Sequence, residues 1–235
     1  MNHHQNITRI KAVYNALGPL KDKVVFVGGA TVSLYAEYEN GISEDLVRPT
    51  DDVDILIELW AYHDYAMIEE QLRSIGFQND MESGVICRYK VQGITVDVMA
   101  TGEGVLGFGN RWYPDGFKHS MQLTLDDQNI IRIFSAPYFI AAKLEAFKSP
   151  TRKDNNDGRM SQDFEDIMFL FEHRKSIWQE MSECDPELKA YLQTEFKRIS
   201  AQPAFEEWVD CHAGVGYPPA TYMIINRLQE FTGRS

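Results

Sequence analysis

The chain has 235 residues, 44% hydrophobic and 25% charged, enough apolar content to bury the core of one large or two small domains. Its formal charge of −12 excludes attachment to nucleic acid by bulk attraction, because phosphate contacts need clustered Lys and Arg, so any such contact has to be local. No apolar run has the length of a bilayer span and Met1 to Asn6 carry no secretory signature, so a cytoplasmic protein with no membrane association is expected.

In chain order, Ile7, Ile10, Val13, Tyr14 and Leu17 recur at helical spacing, and Gly18-Pro19 ends that helix. Lys23 to Val27 reads as a short apolar strand, followed by Gly28-Gly29 and a helix from Ala30 to Glu39. Glycines let a phosphate approach the backbone, and a helix N-terminus behind them presents unpaired amides to an anion. Thr31 in that turn either donates its hydroxyl to a phosphate or caps the helix.

The next strand carries Asp52 and Asp54. Successive strand side chains alternate, so these acids share one face about 6–7 Å apart, while Val53, Ile55 and Ile57 point into a core. Asp51 precedes the strand and reads as a turn residue. Arg48, upstream, offsets the repulsion of the acids, steers phosphate, or anchors its loop through a salt bridge.

Tyr65 to Ile75 is an amphipathic helix stopped by Gly76. Val85 to Val91 and Ile94 to Met99 form a hairpin through Gln92-Gly93, which sets Asp97 beside the Asp52/Asp54 strand. Three such acids fit a magnesium site, since that ion takes hard oxygen ligands and completes its shell with water and substrate phosphates. Thr101 to Gly116 is glycine-rich and reads as a loop, in which Arg111-Trp112-Tyr113 either stacks a base or packs locally. A strand follows near Ile130 to Phe134.

From Pro137 the pattern is helical, with helices at Tyr138–Phe147, Asp163–Phe171, Glu187–Ile199 and Tyr222–Phe231, which gives domains at 1–135 and 136–235. The first of these helices is apolar nearly all round, so its Lys143 needs a partner. That partner is the NTP phosphates or, as the alternative, Asp163 or Asp166, which lie three apart on one helix face. Lys148 and Arg152 are weaker candidates for phosphate contact, and Ser149 to Met160 is a polar loop. Cys87, Cys184 and Cys211 are widely spaced and odd in number, which argues for reduced thiols over a disulfide framework or zinc site; Cys211-His212 lacks two further ligands.

The ordered set Gly28-Gly29, Asp52-x-Asp54 and Asp97 resembles the nucleotidyltransferase superfamily. With Arg48-Pro49-Thr50 ahead of the acids, Lys143-Leu144-Glu145-Ala146 followed by Arg152, and Asp163-Phe164-Glu165-Asp166, the chain looks most like the branch containing abortive-infection and type IV toxin–antitoxin toxins. The resemblance covers roughly residues 20 to 175. It implies a small mixed sheet with flanking helices and a helical C-terminal domain that closes a cleft over the nucleotide, an α+β fold. It implies two Mg²⁺ ions held by Asp52, Asp54 and Asp97, with Asp97 as the base, and Lys143 on the NTP phosphates. The nucleotide site would also draw on Gly28, Gly29, Thr31, Arg48, Lys148, Arg152, Asp163 and Asp166. The expected acceptor is tRNA or another macromolecule in a toxin-like role, with an antitoxin protein as partner. A small cationic acceptor such as an aminoglycoside, which an acidic cleft attracts, and a nucleotide-binding module without turnover are the alternatives.

Overall fold

The β-branched and aromatic runs of the first half become strands of one mixed sheet, while the second half is helical. The computed structural model describes residues 2–37, 48–59, 61–102, 104–152, 156–213 and 220–233. They form two compact units, Met1–Ser33 with Gly41–Ser135, and Leu34–Asn40 with Ala136–Ser235. The fold is α+β. Among the described residues no helix is long and apolar enough to cross a membrane.

The first unit begins with helix α1 (Asn2–Ala16), then strands β1 (Val24–Val27) and β2 (Asp52–Ile57), helix α2 (Tyr62–Ser74), strands β3 (Gln78–Asn79), β4 (Arg88–Val91) and β5 (Ile94–Ala100), helix α3 (Tyr113–Lys118), and strands β6 (Met121–Asp126) and β7 (Asn129–Ile133). The seven strands lie in the order β3-β4-β5-β2-β1-β7-β6. β2 is central, antiparallel to β1 and parallel to β5. Its Val53, Ile55 and Ile57 are buried on one face, each contributing about 1.5–3 kcal/mol of apolar transfer, while Asp52 and Asp54 stay half-buried on the other, ahead of the buried Leu56. That contrast fixes register, because a one-residue slip would bury both acids and expose the core side chains.

Several elements differ from the sequence reading. The segment after the glycines is a 3-10 helix, Gly29–Tyr35, not an α-helix from Ala30, and residues 38–39 lie outside the described ones. Thr31 and Val32 are β-branched, and the Thr31 hydroxyl donates back to the Gly28 carbonyl (2.9 Å), which favours the tighter turn. The expected loop at 101–116 contains α3, whose Gly116 lies so close to the Phe134 ring that a Cβ would approach it to 2.7 Å. Strand β6, unforeseen, pairs antiparallel with β7.

The second unit contains α4 (Ala136–Lys148), α5 (Gln162–His173), α6 (Ile177–Glu183), α7 (Pro186–Ile199), α8 (Phe205–His212) and α9 (Ala220–Thr232). Helices α6 and α8, of seven and eight residues, are too short to show a clear apolar period in sequence. Their aromatic side chains build the core: Phe147 and Trp208 pack edge-on at 6.2 Å, Phe164 lies 5.9 Å from Trp208, and Phe171 stacks on Trp178 at 4.5 Å.

Candidate metal and nucleotide site

The pairing of β2 with β5 places Asp54 directly beside Asp97, and Asp52 beside Thr95. Adjacent strands are about 4.8 Å apart, so the same-face carboxylates of Asp54 and Asp97 converge and repel each other unless a cation lies between them. Carboxylate oxygens of Asp52, Asp54 and Asp97 come within 4.8 Å of one another, and all three residues are half-buried. An all-oxygen, half-buried donor set of this kind suits a hard divalent cation such as Mg²⁺.

The two glycines make room for this cluster. Gly28 follows β1 with φ +74°, and a Cβ on it would lie 1.8 Å from the Asp54 carboxylate oxygen. A Cβ on Gly29 would meet the Arg48 guanidinium at 2.9 Å and the Thr50 methyl at 3.0 Å. The glycines thus admit the Asp54 carboxylate and the Arg48 guanidinium against the backbone turn. Thr31 is fully buried, and its hydroxyl holds that turn from inside.

The loop carrying Arg48 and Thr50 is pinned by Asn6 of α1, which the sequence reading did not single out. The buried Asn6 amide donates to the Arg48 carbonyl (3.2 Å), and its oxygen accepts from the Thr50 backbone amide (3.3 Å). Nothing in a lone Asn on a helix marks it in sequence.

Arg88 is the most consequential residue missed. On β4 it pairs in register with Asp97, and its guanidinium clamps that carboxylate, Nε donating to Oδ1 at 2.8 Å and Nη2 to Oδ2 at 2.7 Å. Nη2 also reaches Asp52 Oδ2 at 3.5 Å. Val27, Asp54, Asp97 and Arg88 therefore form one row across four strands. The Asp97 hydrogen bond holds the Arg88 pKa above its already high value. Next to it, burial, reinforced by the Asp97 charge, pushes the Cys87 thiol up to about 12.

In the second unit, α4 and α5 bring Lys143 to both carboxylates offered by the sequence. Its Nζ lies 3.0 Å from Asp163 and 2.6 Å from Asp166, whose side chains are only 3% exposed. Arg152 reaches the other Asp163 oxygen at 2.7 Å. Asp163 sits in the first turn of α5, capped by Ser161, where the helix dipole favours negative charge, and Asp166 follows one turn on. The two carboxylates hold the Lys143 ammonium charged, its pKa raised despite the opposing effect of burial. Lys148 turns elsewhere, to Glu145 (2.9 Å) and Glu195 (3.2 Å).

No protein-family model matches this chain, and no curated protein sequence does.

The site residues read from sequence thus fall into two groups. Gly28, Gly29, Thr31, Arg48, Asp52, Asp54 and Asp97 lie in the first unit, and Lys143, Lys148, Arg152, Asp163 and Asp166 in the second. Trp112, offered as a base-stacking residue, is a core side chain, 2% exposed and covered by the Arg111 guanidinium at 4.7 Å; its apolar surface is spent on packing. Tyr113 likewise packs inward, its hydroxyl 3.3 Å from the Met99 sulfur.

Proposed function

We propose that this protein is a Mg²⁺-dependent nucleotidyltransferase, moving an NMP from an NTP to an acceptor hydroxyl. The observation that carries the reading is the convergence of Asp52, Asp54 and Asp97 within 4.8 Å beside a glycine turn that yields its Cβ space to Asp54. In the transfer, the acceptor oxygen bonds to the α-phosphorus, the α–β bridging bond breaks, and pyrophosphate leaves. Asp52 and Asp54 would hold the divalent cation, which supplies charge stabilisation for the phosphate oxygens when bound. Asp97 accepts the hydroxyl proton at a carboxylate oxygen. Within the second unit, Asp163 and Asp166 fix the Lys143 ammonium.

The toxin-like role, with tRNA or another macromolecule as acceptor and an antitoxin as partner, is supported by the Lys143-x-x-Ala146 and Asp163-x-x-Asp166 motifs. The net charge of −12 supports a small polycationic acceptor instead. A second reading, a nucleotide-binding module without turnover, is favoured by the Arg88 clamp, which occupies both oxygens of the proposed base.

The test is incubation with each α-labelled NTP and Mg²⁺, with total tRNA and an aminoglycoside panel in separate reactions, and an Asp52→Ala/Asp54→Ala variant as control. Label transferred by the intact protein and not by the variant supports the reaction and names the acceptor class. Nucleotide binding with no transfer to any acceptor supports the binding module.

A further inference from the structure

We infer that Arg88 is a built-in counter-cation of the acid cluster: it neutralises Asp97 and Asp52, and a divalent cation that takes Asp97 competes with it. The inference rests on the reading of Asp52, Asp54 and Asp97 as a metal centre. The positions of the groups carry it. Two carboxylates in register on adjacent parallel strands repel, and the third acid lies within 4.8 Å of both. Some cation must offset them.

In this structure the guanidinium does so, at 2.7 and 2.8 Å from Asp97 and 3.5 Å from Asp52. A bidentate fork on a carboxylate is among the stronger polar contacts, and this one is only partly open to solvent, with side chains 27% and 14% exposed. Arg88 donates one hydrogen bond to each of the two Asp97 oxygens, so coordination of a cation by Asp97 competes with the fork. Competition therefore falls on Asp97 and Asp52, the two acids at 2.7–3.5 Å from the guanidinium. Arg88 acts on the site as a positioning residue: it orients Asp97 and sets how much cation is needed to free it.

The experiment is Mn²⁺ titration, followed by the paramagnetic signal of the free ion, on the intact protein, Arg88→Gln and Arg88→Lys, each also in an Asp52→Ala/Asp54→Ala background. Arg88→Gln should bind Mn²⁺ about tenfold tighter than the intact protein, the factor equivalent to about 1.4 kcal/mol and the lower end for a hydrogen bond to a charged group. Arg88→Lys, which keeps the charge and loses the fork, should fall between them. A thermal melt gives the readout that a purely structural clamp would not move. Metal-free Arg88→Gln should melt below the intact protein, and saturating Mn²⁺ should restore it, because the ion replaces the lost cation.

Arg88→Gln binding Mn²⁺ no tighter than the intact protein, with a melting deficit that Mn²⁺ leaves in place, overturns the inference while the metal centre stands. Absence of Mn²⁺ binding dependent on Asp52 and Asp54 in every background overturns the metal centre itself, and the inference with it.

Discussion

At Gly28 the backbone leaves no room for a single added carbon beside Asp54. Adding a Cβ there places it 1.8 Å from Asp54 Oδ2, 2.7 Å from its Cγ and 2.9 Å from its own Cβ. Real Cβ contacts below 3.0 Å are essentially absent, so Gly28→Ala must push the Asp54 oxygen away by about 1.2 Å. Two costs separate cleanly. The backbone cost, for an L-residue at φ +74°, is about 1–2 kcal/mol, or about 2–8 °C in melting temperature for a chain of this size. The site cost is a misplaced carboxylate, and an error of about 1 Å in a reacting constellation costs about a hundredfold in turnover. Gly93→Ala is the control. It has nearly the same backbone conformation, φ +78°, with nothing within 4 Å of the added Cβ. Both variants should melt lower by similar amounts, whereas only Gly28→Ala should weaken Mn²⁺ binding, by about tenfold or more. Equal Mn²⁺ affinity in the two variants would refute the argument that Gly28 exists to admit Asp54.

Lys143→Met leaves Asp163 and Asp166 buried without their shared cation, and a lost partner of this kind costs about 3–5 kcal/mol; a urea-melt change below about 1 kcal/mol would contradict the buried triad. Asn6→Ala should cost about 1–3 kcal/mol by leaving the Thr50 amide and the Arg48 carbonyl short of a partner, and hydrogen exchange at residues 48–52 should rise; unchanged exchange there would show that Asn6 does not pin the loop. In a thiol assay at pH 8 the exposed Cys211 should react quickly and Cys87, whose thiol burial pushes up to about 12, only on unfolding. Because folding raises the Cys87 pKa from 9.0, the folded chain keeps a proton that the unfolded chain releases. The contribution of this thiol is therefore complete below pH 9 and is lost as pH rises toward 12, and Cys87→Ala should flatten the fall of the urea midpoint above pH 9.

The acid pair was legible because strand alternation is a strong rule: Asp52 and Asp54 had to share a face once Val53, Ile55 and Ile57 took the core. The placement of Asp97 was legible too, since a hairpin through Gln92-Gly93, both at positive φ, leaves its second strand free to pair with β2. Arg88 was not. Its meeting with Asp97 depends on cross-strand register, and the sequence reading began that strand at Val85, three residues before the ladder does. The carboxylates of α5 were readable as partners for Lys143 because an apolar helix cannot leave an ammonium unpaired. Trp112 failed as a surface residue because α3 forms inside an apparently glycine-rich loop, with Pro114 in its first turn, and turns the indole inward. Asn6 failed because a buried polar side chain on a helix looks the same in sequence as an exposed one.

Diffraction from crystals containing Mn²⁺ and an α,β-methylene NTP tests whether Asp52 and Asp54 hold a divalent cation against a nucleoside triphosphate. An anomalous manganese peak is expected within coordination distance of the Asp52 and Asp54 carboxylates, with the triphosphate oxygens completing its shell. A nucleotide bound with its manganese away from these two side chains would contradict it.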